Sequence, residues 1–223
     1  MAYPAVARSL KAFVCRVALY YMARGYHLYA MGYVPERAEP EAIDRKLIEK
    51  YGIDITARKR AYRKTKWQAN VHYLRFGRLY LLLATPGTHK NFFNGLYGRD
   101  GRLLPDHLRG EMAILKDAAK TPIVVGDYSI TATPAGVSVR IRREVYRVLK
   151  AYFRELATTR RDPRELEAAF KRECDYLMFR PIQRQLKTIV FEMNTRRKRA
   201  RLEPVAIGWR AWKPAPVREQ LAA

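Results

Sequence analysis

The sequence predicts an α+β protein, with a mixed or antiparallel sheet of about five strands and a helical C-terminal third. Three observations carry that expectation. In "NVHYLRFGRLYLLLATPG" (70–87) two apolar runs flank Phe76-Gly77, the pattern of a hairpin whose second arm is an interior strand. In "DYSITATPAGVSVRI" (127–141), Tyr128, Ile130 and Ala132 alternate with polar residues, as do Val137, Val139 and Ile141 beyond the "TPAG" turn. After residue 142 the apolar period changes from two to three or four, which is helical.

The remaining elements follow in chain order. Residues 5–22 place Leu10, Phe13, Val14 and Val17 at helical spacing. "GYHLYAMGYVPE" (25–36) is aromatic-rich and reads as a strand ended by Pro35. In 40–52, Pro40 fits a first helical turn, Ile43, Leu47, Ile48 and Tyr51 make one stripe, and Gly52 suits the C-terminal cap. A short basic helix is expected over 56–67. Residues 86–110 read as a loop, with glycines at 87, 95, 98, 101 and 110. Three helices then follow. Residues 143–158 carry Val145, Leu149, Tyr152, Phe153 and Leu156, and 162–174 opens on Asp162-Pro163 with Glu165 behind it. Residues 181–200 turn Leu186, Ile189, Val190 and Met193 inward. "VAIGWRAW" (205–212) is expected to return as an edge strand. The organisation expected is a sheet unit over 1–142 with a helical cap over 143–223, as one domain or two packed lobes.

Charge decides the class of partner. The 223 residues carry a formal net charge of +23, while 48% are apolar, so the chain can bury a core and is not a basic disordered tail. An excess this large costs stability by self-repulsion, and a polyanion offsets it. Nucleic acid is the partner expected, RNA in preference to DNA, with further protein subunits of a ribonucleoprotein assembly beside it. No membrane partner is expected: "VALYYMA" (17–23) is the most apolar early run, lies between Arg16 and Arg24, and falls well short of the ~20 residues a span needs. Cys15 and Cys174 match no metal or disulfide spacing and read as small buried hydrophobes in a reducing, cytoplasmic setting.

The positive charge is clumped. Between Asp54 and Asp100 there is no acidic residue, and the interval holds ten basic ones: Arg58, Lys59, Arg60, Arg63, Lys64, Lys66, Arg75, Arg78, Lys90 and Arg99. Six of them fall within "RKRAYRKTKW" (58–67), interleaved with Tyr62 and Trp67. A solvated helix face ordinarily mixes both signs at i,i+4, and like charges at that spacing repel. A second clump, "RRKRAR", supplies Arg196, Arg197, Lys198, Arg199 and Arg201, although cations also suit a helix C-terminus. These residues, with Arg75 and Arg78, are the candidate phosphate contacts. Tyrosines beside basic residues, and Trp209 and Trp212, are candidates for stacking on bases.

Catalytic patterns are sparse. His27, His72, His89 and His107 form no metal-binding pair by spacing. "HYLR" (72–75) is similar in its His-x-x-Arg spacing to tyrosine recombinases, but on a strand His72 and Arg75 face opposite ways. A second functional reading is a nuclease or DNA-processing enzyme. It would use His89 beside Lys90, or the carboxylates Asp100, Asp106 and Glu111 with His107 in "RDGRLLPDHLRGE". A third is binding to acidic membrane. No phosphate loop of the Walker type is present in the sequence, and no cofactor or metal is implied.

Overall fold

The computed structural model describes residues 3, 5–93 and 113–208. Among these, residues within 1–123 and 130–137 form one compact unit, and residues within 124–129 and 138–222 form a second. The fold is α+β, as the apolar periodicities predict.

The first unit is built on a four-stranded antiparallel sheet. Its strands are β1 (Leu28–Tyr33), β2 (Val71–Phe76), β3 (Leu79–Ala84) and β6 (Lys116–Asp117), in the order β2-β3-β1-β6. The hairpin expected at Phe76-Gly77 is present, with register from Val71↔Ala84 to Phe76↔Leu79, and Gly77 takes the left-handed conformation (φ +57°) that so tight a turn requires. β3 is interior, paired on its other edge with β1 from Leu28↔Ala84 to Tyr33↔Leu79. That burial explains its nearly unbroken apolar run.

The two faces of β2 meet different helices. Phe76 packs 6.4 Å from Phe13 of α1 (Leu10–Cys15), ring centroid to ring centroid. On the opposite face Tyr73 and Arg75 bond to Asp44 of α2 (Pro40–Lys50). Tyr51, Ile53, Ala69, Val71, Tyr73, Leu82, Ala84 and Leu115 form the core on that side. α3 (Ala57–Thr65) follows α2 and leads into β2.

The helix expected over 5–22 is shorter than its apolar spacing suggests. Residues Ala5 and Ala7 instead run beside β2, exchanging bonds with Arg75 (Arg75 N to Ala5 O and Ala7 N to Arg75 O, both 2.7 Å). Ser9 then caps α1, and the chain widens into a π-helical turn over Arg16–Tyr21 and tightens into a 3₁₀ turn over Met22–Arg24. Edge pairing takes the backbone groups of 5–7 that a longer helix would have needed.

The strands do not form one sheet of five. There are in addition a three-stranded sheet, β7 (Ile123–Val125), β8 (Tyr128–Thr133) and β9 (Gly136–Ile141), and a short parallel pair, β4 (Phe92–Phe93) with β5 (Ala113–Ile114). The alternation read in 128–132 is observed, with Tyr128, Ile130 and Ala132 buried. Its residues are divided between the two units.

In the second unit α4 (Arg143–Thr159), α5 (Pro163–Glu173) and α6 (Arg180–Arg199) match the predicted helices to within a residue or so. Asp162 caps α5, accepting from Arg164 N at 2.8 Å, with Pro163 in the first turn as expected. α4 packs on α6, with Phe153, Ala157, Ile189 and Met193 buried, and Lys150 pairs with Glu192 at 2.6 Å. Residues 205–208 are not a strand, so that part of the expected edge strand is corrected, and 209–212 lie outside the described residues. Asn194 instead holds Val205 through both its amide oxygen and nitrogen, at 2.8 and 3.0 Å. No helix among the described residues is long and apolar enough to cross a membrane.

Candidate nucleic-acid interface

α3 is the basic helix expected over 56–67. Thr56 caps it by accepting from Lys59 N (3.3 Å), and none of its residues is buried. It closes with Gln68 N donating to Arg63 O (2.8 Å) and Trp67 N to Lys64 O (3.2 Å), the paired bonds of a Schellman motif.

The six cations of 58–66 divide into two sets. Arg60 and Arg63 turn inward, with Arg60 donating to Ile53 O (2.7 Å) and Val71 O (3.3 Å), and Arg63 to Gly52 O (3.2 Å). Two of those acceptors lie just past the end of α2, where helical carbonyls run out of intrahelical donors. Asn91 takes Lys50 O and His89 takes Tyr51 O, so four successive carbonyls from 50 to 53 each receive a side chain. Cations here also complement the negative end of the helix dipole.

Arg58, Lys59, Lys64 and Lys66 point to solvent, and none is in an ion pair among the described residues. Tyr62 and Trp67 share that surface, 61% and 69% exposed. Lys66 Nζ stands 5.9 Å from the centre of the Tyr62 ring. α3 therefore offers four exposed cations, in no ion pair among the described residues, together with two open aromatic rings.

Arg75 and Arg78 belong elsewhere. Arg75 is buried and grips the buried Asp44 carboxylate in a fork, Nε to Oδ1 at 2.8 Å and Nη2 to Oδ2 at 2.9 Å. It also reaches Glu41 at 3.0 Å and Gly77 O at 2.8 Å. Tyr73 donates to the same carboxylate (2.5 Å), and burial together with Asp44 drives its phenol pKa well above the ordinary range. Arg75 had no acid near it in sequence, but the sheet brings one from 31 residues away. Arg78 is exposed, yet its guanidinium gathers the carbonyls of Pro35 (2.6 Å) and Glu36 (3.1 Å).

The second clump divides in the same way. Arg197 is fully buried (0% exposed) and donates to the carbonyls of Ala157 (3.2 Å), Arg160 (2.6 Å), Arg161 (2.7 Å) and Glu203, closing the C-terminus of α4. Arg196 is half-buried against Arg154 O at 3.5 Å. Lys198, Arg199 and Arg201 are exposed. Arg197 and Arg75 are thereby removed from the expected phosphate contacts, because burial has already committed their donors.

The catalytic candidates find little support. His89 is held at both ring nitrogens, with Nε2 donating to Tyr51 O (3.2 Å) and Nδ1 accepting from Asn91 N (3.1 Å), and burial pushes its pKa down. Asp100, Asp106, His107 and Glu111 lie outside the described residues, as do Trp209 and Trp212. His72 and Arg75 do face opposite ways on β2. His72 sits among the rings of Tyr21 (4.5 Å) and Tyr26 (4.7 Å), with Tyr3 Oη 2.8 Å from its Nδ1. Burial, with Arg60 and Arg24 nearby, lowers its pKa to about 3. Sequence reasoning missed this tyrosine cage, since its members are spread from 3 to 72. The Cys15 and Cys174 thiols are buried, which raises their pKa to about 11 and about 12, so neither is a reactive thiolate. No group of three metal-ligating side chains occurs among the described residues.

Comparisons with family models, with curated proteins and with solved structures return no match.

Proposed function

We propose that the protein binds nucleic acid, RNA in preference to DNA, as a subunit of a ribonucleoprotein assembly. Its contacts are the outer face of α3 and, on the second unit, the exposed cations that close α6. One observation carries the proposal. After Arg60 and Arg63 are discounted, Arg58, Lys59, Lys64 and Lys66 still stand exposed and without acidic partners among the described residues, with Tyr62 and Trp67 exposed in the same stretch. Phosphates reverse the mutual repulsion of these charges, and the rings suit nucleobases. Acidic membrane would meet the same cations, but α3 has no apolar stripe to bury in it.

The test is a binding curve for short single-stranded RNA and DNA, repeated at several salt concentrations. Replacing Arg58, Lys59, Lys64 and Lys66 together by alanine is expected to leave the melting temperature within a few degrees. The slope of log affinity against log salt should become shallower by about 3, from four lost contacts at about 0.7 each. Wild-type protein without salt-sensitive affinity, or a quadruple variant that binds as well as wild type, sinks the proposal.

A further inference from the structure

Two non-glycine residues have positive φ among the described residues: Trp67 at 53° and Arg201 at 57°. Each is the residue just past the C-cap of a basic helix, in the same hydrogen-bonded closure, since Leu202 N donates to Arg197 O (2.9 Å) as Gln68 N does to Arg63 O (2.8 Å). Glycine is the residue that fits this place, because in the left-handed conformation a Cβ crowds the following carbonyl. A tryptophan there is unfavourable for the backbone, and at 69% exposure it recovers little by burial.

The backbone under the ring is nonetheless well held. Trp67 O accepts from Thr88 N (2.9 Å) and Thr88 Oγ1 (3.4 Å), and Ala69 N donates to Thr88 O (2.9 Å). A Cβ on Gly87 would stand 2.8 Å from Trp67 O, so glycine at 87 lets the two backbones approach. The indole is thus fixed at its root and open at its face, beside Lys64 and Lys66. Strain of this kind, over-determined by its surroundings, is characteristic of functional positions.

We infer that Trp67 is a stacking platform for an unpaired nucleobase, so that the α3 face takes single-stranded nucleic acid. The inference rests on the nucleic-acid reading above and adds the strandedness. A base within a duplex already has both faces covered by its neighbours, whereas an unpaired base gains by lying on an aromatic ring.

Trp67→Gly separates the ring from the fold. Its melting temperature should equal or exceed that of wild type, because glycine relieves the backbone. Its affinity for a short oligouridylate should fall about tenfold or more, with an unchanged salt slope, since the ring carries no charge. Affinity for a fully paired RNA duplex should not change. Trp67→Phe and Trp67→Leu bear the same backbone strain and differ in the ring. Phenylalanine should retain most of the single-strand affinity, and leucine should fall to the level of glycine. Equal affinities of Trp67→Gly and wild type, or of the phenylalanine and leucine variants, overturn the inference. A wild-type preference for duplex overturns it while leaving nucleic-acid binding in place. Binding to neither nucleic acid removes both.

Discussion

The ends of α3 and α6 look alike in sequence and close with the same geometry, but they use their arginines differently. At the end of α6, Arg197 is wholly buried and fills four carbonyls around the end of α4, leaving Lys198, Arg199 and Arg201 outside with no aromatic among them. At α3, Arg60 and Arg63 are half-buried, and four cations and two rings remain outside. A guanidinium near an unsatisfied helix C-terminus is drawn to it first, because it meets both the orphan carbonyls and the dipole. What remains is the surface another molecule can meet, and it is larger on α3.

The largest expected effect lies on the buried side of that comparison. Arg197→Met removes every donor to Ala157, Arg160, Arg161 and Glu203 at once. Stranding such a network costs about 3–5 kcal/mol, read by urea unfolding. Arg63→Met, which frees one carbonyl at a half-exposed site, should cost about 1 kcal/mol. Comparable losses in the two variants would break the distinction. So would a change of nucleic-acid salt slope in Arg197→Met protein that remains folded.

That distinction explains what the sequence could and could not disclose. The helices of the second unit and the hairpin at Phe76-Gly77 were legible because each announces itself by local period and local turn chemistry. The clumping of charge was equally legible. The division of the clumps was not, because the acceptors are backbone carbonyls, which every residue has and no residue type marks. Arg75 shows the same limit with an acid. Asp44 lies 31 residues away, in a helix that reads as an ordinary amphipathic one, and only the packing of α2 on β2 brings it to the guanidinium. The beginning of the chain departs from its helical spacing for a related reason. Ala5 and Ala7 find edge partners on β2, which competes successfully with extending α1. The left-handed residues had a visible signal, a basic helix ending without the glycine that usually closes one, at Trp67 and at Arg201.

Acid should separate the two units next. His72 has a folded pKa of about 3, against about 6.5 when exposed, and His89 is shifted in the same direction. Between those limits the unfolded chain binds protons that the fold refuses. Stability is therefore full above about pH 6.5 and falls as pH drops towards 3. All four histidines lie at or before residue 107, so residues 124–129 and 138–222 carry none. Peptide-resolved hydrogen exchange, corrected for intrinsic rates, should show protection falling between pH 7 and pH 5 in the sheet of the first unit and much less in α4 and α6. His72→Gln should flatten that limb. Equal loss in both units would show that the acid response does not come from these histidines.

The smallest effect sharpens the comparison most finely, because it concerns the residue the two closures share. Arg201 sits at φ +57°, where glycine is preferred, and its side chain is exposed. Arg201→Gly should raise stability by about 1 kcal/mol or less, since relief of the left-handed strain is partly offset by the greater freedom of glycine in the unfolded chain. If the arginine is retained for a phosphate, the salt slope of binding should fall by about 0.7–0.9, one contact's worth. Trp67→Gly is expected to differ in the slope, losing affinity while the slope stays constant. The pair therefore separates a charge held out towards the backbone of the strand from a ring held out towards its bases. An unchanged slope in Arg201→Gly would mean that the closure of α6 tolerates its strain for reasons internal to the fold, and that of the two helix ends only that of α3 presents its left-handed residue to a ligand.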